Sequence, residues 1–307
     1  MKTTSRPPDW AESVSFRTLM RIAIVGGRGQ LGTALAKVLP GDLLPLASDG
    51  FDIASPDQVR QRFDTDRPQL VINAAAYNFL DRAEDEPERA YAVNALGPRN
   101  LAAWCSQHDV PLVHVSTDYV FGLDTGRDSP YRETDLPGPQ SVYAVSKLAG
   151  EAFVRSLAAR HWVVRTCGLY GKAISPGKGN FVETMLRLGR ERDSLSVVDD
   201  QWCTPTSALD LARAISKLVS TDQYGLYHAT SSGKTTWYQL AAEIFRLAQI
   251  GVTIRPITTA EYPTKARRPG FSVLDTSKLA GAIGGPLPSW KDSLAEYLAT
   301  RSDDVRR

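Results

Sequence analysis

The 307-residue chain carries 36 Lys and Arg against 34 Asp and Glu, a net charge of +2, and 42% of its residues are apolar. That length fills one elaborated domain, or a large and a small one with ample core, while interspersed charges leave no electrostatic footprint for nucleic acid or an anionic membrane. No run of 18 apolar residues or signal-peptide core occurs. Cys105, Cys167 and Cys203 are scattered, and His108, His114, His161 and His228 lack ligand spacing. These exclude a disulfide framework, give a zinc site little support and lead us to expect reduced thiols in a cytoplasmic protein with no metal.

Residues 1–19 have no period and read as a disordered or loosely attached leader, with Met20 expected to be the natural start. Met20 to Val25 is a buried strand. Gly26-Gly27-Arg28-Gly29-Gln30-Leu31-Gly32 then opens a helix that continues through Leu39. Glycines at 26, 29 and 32 give a G-x-x-G-x-x-G dinucleotide turn, in which the backbone bends tightly and a pyrophosphate approaches the helix N-terminus. The next strand, Leu43 to Ala47, is followed by Ser48 where an NAD enzyme often carries an acid. Arg28 can meet a 2′-phosphate, so NADPH is preferred, although the nearby Asp49 keeps NADH open. Asp52-Ile53 precedes Ser55-Pro56, an N-cap with proline at the first helical position, and falls beside the adenine in a doubly wound sheet.

Leu70 to Asn73 is a third apolar strand, and Ala74, Ala75 and Ala76 are small enough for a ribose to lie against them. Asp81 to Glu86 reads as a solvated acidic face, and Pro87 starts a long helix toward Trp104. Asn94 lies inside that helix, where asparagine is unfavourable unless its amide is bonded, so it is expected to bond backbone near the site. Leu112 to Val115 is a buried strand that delivers Thr117. In the helix after it, Tyr143 and Lys147 are four residues apart and share a face. An ammonium there favours the phenolate and lowers the tyrosine pKa, so the tyrosine can give a proton to a ketone oxygen or take one from an alcohol, and Thr117 can hold that oxygen from the other side. About 0.4 such Tyr-x-x-x-Lys pairs arise by accident in a chain of this composition, so context carries the assignment. Strands alternating with helices after a glycine turn specify an α/β fold, a Rossmann-like doubly wound parallel sheet, with ligands at the carboxyl ends of its strands.

Past Arg160 comes a strand at Trp162 to Arg165, the segment Cys167 to Gly171, and a Gly/Lys/Pro loop from Lys172 to Gly179. A helix led by Asn180 follows. Thr206 and Ser207 are cap candidates for the helix around Leu211, Gly225 to Ala229 is a late strand, and Thr235-Thr236 caps a helix from Trp237 to Leu247. The extended basic segment from Tyr262 to Pro269 presents Arg267 and Arg268 to a second phosphate group. The expected division is a larger unit at 20–165 with returning segments near 194–230, a smaller α/β substrate-binding domain at 166–193 and 231–300, and a tail at 301–307.

In order, the chain holds Gly-x-x-Gly-Gln-Leu-Gly, Asn-Ala-Ala-Ala, Ser-Thr-Asp-Tyr-Val-Phe, Tyr-x-x-x-Lys-Leu-Ala-Gly-Glu, Asp-Asp-Gln, Thr-Thr-Trp-Tyr and Ala-Arg-Arg-Pro. Over about residues 20 to 300 it resembles the dTDP-4-dehydrorhamnose reductases of the extended short-chain dehydrogenase/reductase superfamily. The resemblance implies reduction of the C4 ketone of dTDP-4-dehydro-L-rhamnose by NAD(P)H. It makes Tyr143 the proton donor and Lys147 its partner, and places Thr117 and Asp118 against the sugar. It puts Gly29, Gln30, Leu31, Asp52, Ile53, Ala76, Tyr77, Asn78 and Val115 on the cofactor, and adds Gly168, Asn180 and Arg268 to the substrate side. A homodimer is implied, and magnesium is reported for some members, although no acidic cluster here argues for it.

One stretch departs from the pattern. The family has Arg-Thr-Ser-Trp-Val-Tyr-Gly where this chain has Arg165-Thr166-Cys167-Gly168-Leu169-Tyr170-Gly171. Gly168 removes an aromatic wall of roughly 150–250 Å². Either Trp202 refills the space or the pocket takes another nucleotide sugar. Two alternatives stay open: another nucleotide-sugar reductase or epimerase of the superfamily, and a silent NADP-binding regulatory subunit similar to the methionine adenosyltransferase beta subunit. Intact Thr117, Tyr143 and Lys147 argue against the second.

Overall fold

The computed structural model describes residues 20–172 and 179–305. The expected leader, and residues 173–178 of the Gly/Lys/Pro loop, lie outside them. The first half alternates strands with helical segments: β1 (Arg21–Val25), α1 (Gln30–Val38), β2 (Asp42–Leu46), α2 (Pro56–Asp66), β3 (Leu70–Asn73), α3 (Leu80–Asp85), α4 (Pro87–Tyr91), α5 (Gly97–Gln107), β4 (Leu112–Thr117), α6 (Val142–Leu157) and β5 (His161–Thr166). The second half holds α7 (Phe181–Glu191), β6 (Ser194–Val198), β7 (Trp202–Cys203), α8 (Ala208–Leu218), β8 (Gly225–His228), β9 (Thr235–Thr236), α9 (Trp237–Ala248), β10 (Thr253–Ile257), α10 (Ser277–Ile283) and α11 (Trp290–Val305). The stretch from 301, expected as a tail, begins inside α11.

Six strands pair in the order β2-β1-β3-β4-β5-β8, all parallel. Their near-continuous apolar runs follow from burial on both faces. Because successive side chains alternate, Ile22 and Ile24 of β1 join a core with Leu35 of α1 and Leu211 of α8, while Ala23 and Val25 join one with Phe63 of α2, Leu101 of α5 and Val154 of α6. A smaller core of Val182, Leu186, Leu240, Ile244, Phe245 and Leu294 gathers α7, α9 and α11. Strand β6, expected among the returning segments of the larger unit, instead pairs with β10 beside this smaller core, and it is α8 and β8 that return to the sheet.

The helix expected from Pro87 to Trp104 is interrupted by a π-helical turn at Ala92–Leu96. Asn94 sits at its centre, fully buried. Its amide accepts from Tyr77 N–H at 2.8 Å and donates to Tyr77 O at 3.0 Å and Ser146 Oγ at 3.1 Å. The wider turn turns a polar side chain inward to hold the loop after β3 against α6.

Candidate active site

The strand order reverses between β1 and β3, and the glycine turn lies at the carboxyl end of β1, where such sheets bind ligands. Gly26 has φ +81°, and a Cβ on it would lie 2.8 Å from Ala75 N; one on Gly32 would lie 2.3 Å from Gly26 O. Only glycine closes this turn. Gly29 is the N-cap of α1 and supplies no side chain to bond its first amides, so those donors point toward the space in front of the sheet.

That space is a cleft of about 570 Å³, within the usual size of a small-molecule site. Gly26, Arg28, Gly29, Gln30, Leu31, Asp52, Ile53, Ala76, Tyr77, Asn78 and Val115 line one part of it, and Thr117, Asp118, Tyr143, Lys147 and Gly168 line the other. Ser116 Oγ and Thr166 Oγ1 also border it, both buried without a hydrogen-bond partner among the described residues. The glycine cradle and these orphaned polar atoms fit a polar dinucleotide. At the rim, Arg28 pairs with Asp49, both exposed, so the cation expected at a 2′-phosphate and the acid that kept NADH open are joined to each other.

The reacting corner forms where α6 meets the end of β4. Ser141 caps α6 by accepting from Ala144 N–H. Four helical residues rise about 6 Å and two strand residues about 6.6 Å, so Tyr143 reaches the Thr117 hydroxyl while Lys147 Nζ donates to Val115 O at 2.6 Å. The helix face expected from the four-residue spacing is therefore present. The expected electrostatics are not. Desolvation pushes the Tyr143 phenol up to about 12, with the Thr117 hydrogen bond pulling the other way and Asp118 adding to the rise. Lys147 is brought down to about 8 by burial, opposed by Glu151. The ammonium donates to a main-chain carbonyl, and the phenol rests as a neutral acid.

Beside it, burial raises Asp118 to about 6 while hydrogen bonds, including those from Ser272 and Thr117, pull it down. Its carboxylate accepts from Ser272 Oγ at 2.6 Å and Thr117 Oγ1 at 3.1 Å. Ser272 carries no motif, and only the fold brings it here.

Gly168 has φ +50°, and a Cβ on it would meet Pro205 Cα at 3.2 Å and the Trp237 indole at 3.4 Å. Trp237, at the start of α9 and packed on Phe181, therefore supplies the aromatic surface on this side of the cleft. The expectation for Trp202 fails because β7 directs it toward Phe271 and Lys234. Asn180 caps α7 through Glu183 N–H and donates to Gln30 Oε1 and Gly171 O. Its amide holds the glycine loop to the smaller core and is not among the cleft-lining groups. Arg268 also stands off the cleft, donating to both Asp81 oxygens at 3.2 and 3.0 Å. The acidic stretch expected as a solvated face is thus a set of ties: Asp81 to Arg268, Asp85 to Lys265, Glu84 to Val142 N–H and Glu86 to the Tyr77 hydroxyl.

Among the described residues, no group of three or more His, Cys, Asp or Glu could hold a metal ion, and no helix is long and apolar enough to cross a membrane. The family model of the RmlD substrate binding domain matches residues 20–302. A dTDP-4-dehydrorhamnose reductase of Aggregatibacter actinomycetemcomitans is 37% identical over 297 residues, covering 92% of this chain and 99% of that one. One of Streptomyces griseus is 40% identical over 286 residues, covering 90% and 92%. The solved dTDP-4-dehydrorhamnose reductase of Bacillus anthracis in complex with NADP superposes with a TM-score of 0.87 at 38% identity, covering 92% of this chain and 99% of that one. The match over residues 20–302, the identity to named relatives along nearly their whole length and the superposition of the fold lead to one conclusion: the chain belongs to the dTDP-4-dehydrorhamnose reductase family.

Proposed function

We propose that the chain reduces the C4 ketone of dTDP-4-dehydro-L-rhamnose to dTDP-L-rhamnose with NADPH, and that Tyr143 protonates the oxygen. The observation that carries this reading is Tyr143 gathered with Thr117 and Lys147 in the cleft at the end of β4, in a chain whose relatives carry that activity in their names. The NADP complex of the Bacillus anthracis relative supports the phosphorylated coenzyme, and three buried free cysteines support a reducing cytoplasmic setting.

Bound NADPH supplies the hydride; the chain supplies orientation, charge and a proton. The glycine turn and the amides of α1 would hold the diphosphate, and Arg28, released from Asp49, would meet the 2′-phosphate. The Thr117 hydroxyl would turn its one proton from Asp118 to the ketone oxygen and so orient that oxygen toward Tyr143. As charge develops on that oxygen, the Tyr143 hydroxyl transfers its proton, and the Lys147 ammonium stabilises the phenolate left behind. Ser272 holds the Asp118 carboxylate beside Thr117, and Trp237 faces the sugar.

Tyr143→Phe tests the central role. Its kcat with dTDP-4-dehydro-L-rhamnose is expected to fall by about 10²–10⁴ with NADPH affinity unchanged. Turnover equal to the parent protein would refute the proton donor.

A further inference from the structure

Glu151 and Arg165 form an ion pair that the chemistry above leaves unused. Both side chains are 1% exposed. The guanidinium grips the carboxylate from two nitrogens, Nε to Oε1 at 2.9 Å and Nη2 to Oε2 at 2.7 Å, joining α6 to β5. Arg165 also lies over the Phe121 ring and 3.4 Å from His228 Nε2. Burying two charges seldom stabilises a fold more than apolar side chains of the same volume would, so the pair calls for another use.

Its orientation supplies one. Glu151 follows Lys147 by one helical turn on the same buried side of α6, and its negative charge acts on that ammonium. The positive end faces β8, where it acts on His228. Other charged or titratable groups around Lys147 do not substitute for the carboxylate. His114 on β4 is buried and neutral, Asp118 is engaged by Thr117 and Ser272, and Tyr143 and Cys167 are protonated. Glu84 of α3 holds Val142 N–H, Glu86 and Arg89 hold each other at the rim, Arg99 of α5 is exposed, and Glu133 accepts from His228 N–H.

We propose that Glu151 is a positioning residue for the reduction, keeping Lys147 an ammonium at the end of β4 while Arg165 fixes the carboxylate in place. This rests on the reading of Lys147 as the site's cation. Arg165 is then the anchor that prevents the carboxylate from swinging toward Lys147 and collapsing into a direct ion pair.

The test compares the parent protein with Glu151→Gln, Glu151→Asp and the double variant Glu151→Gln/Arg165→Met, which removes the charge without stranding a buried guanidinium. kcat/KM for dTDP-4-dehydro-L-rhamnose with NADPH is measured from pH 6 to 9.5, with thermal unfolding alongside. In the two variants that lack the carboxylate the high-pH loss of activity is expected to move down by about one pH unit. Activity then drops about tenfold at pH 8.5 and no more than about twofold at pH 6, while Glu151→Asp keeps the parent's high-pH limb. A folded double variant whose limb does not move, or whose activity falls equally at every pH, overturns the proposal. Lys147→Met with full activity would instead overturn the reading of the site itself.

Discussion

Lys147 Nζ lies 2.6 Å from the carbonyl oxygen of Val115, so a desolvated ammonium rests on the main chain of β4. Its proton affinity is depressed from 10.5 to about 8, burial being the larger cause and Glu151 opposing it. A depressed cation is penalised in the folded state. The stability it allows is present above pH 10.5 and is lost as pH falls through about 8, so at pH 7 the lysine destabilises the chain. Replacing it with methionine removes that penalty and one hydrogen bond. Lys147→Met is expected to be more stable at pH 7 by on the order of 1–2 kcal/mol, with the gain gone near pH 10.5, and to lose at least about a hundredfold in kcat/KM. Urea unfolding at the two pH values checks the first claim. A variant less stable than the parent at pH 7 refutes it.

Asp118 carries the opposite signature. Burial raises its carboxyl to about 6, against 3.8 for the unperturbed group, despite hydrogen bonds from Ser272 and Thr117. Its stabilising contribution is complete below pH 3.8 and is lost as pH rises through 6. The charged form is then held at a cost on the order of 2–3 kcal/mol. Asp118→Asn is expected to flatten the decline in stability between pH 4 and 7 while raising KM for the nucleotide sugar. Parallel stability profiles for parent and variant would count against it.

Two tryptophans separate the expected and observed aromatic walls of the cleft beside Gly168. Trp237 borders the cleft above Gly168, whereas Trp202 packs toward Phe271. Trp237→Ala is expected to raise KM for the dTDP-sugar about tenfold or more, the loss of an aromatic contact worth roughly 1.5 kcal/mol, and to leave NADPH affinity unchanged. Trp202→Ala should change KM by less than about threefold. Steady-state kinetics on both variants decide the matter, and the reverse order restores Trp202 to the wall.

What the sequence made legible follows from how each feature is encoded. Runs such as Leu70 to Asn73 and Leu112 to Val115 are apolar because both sheet faces are covered, so strands and their order relative to the glycine turn were readable. The Tyr143–Lys147 spacing fixed a direction along the helix. It said nothing of solvation, and desolvation is what raises the phenol instead of lowering it. Arg268 and Asp81 are 187 residues apart, and no local pattern joins them. Trp202 was expected at the wall beside Gly168, and Trp237 was read only as the start of a helix; the pairing of β7 with β9 sends the first toward Phe271, and the second borders the cleft. Glu151 closes a motif yet gave no sign that it is buried against Arg165.

Asn94 was readable as an anomaly but not as a π turn, because the extra residue has no compositional mark. Its amide satisfies the buried N–H and O of Tyr77 and bonds Ser146, the residue before Lys147. Truncation to alanine strands polar groups that water does not reach, each at a cost of about 1–3 kcal/mol. Asn94→Ala is therefore expected to lose about 2–4 kcal/mol in stability. Residues 76–78 line the cleft on the side of the glycine turn, where NADPH is proposed to bind, so the released loop should also weaken NADPH binding more than it slows the chemical step. Calorimetric titration with NADPH and single-turnover rates at saturating coenzyme distinguish the two. If affinity holds while the single-turnover rate collapses, Asn94 acts through Ser146 and α6, not through the Tyr77 loop.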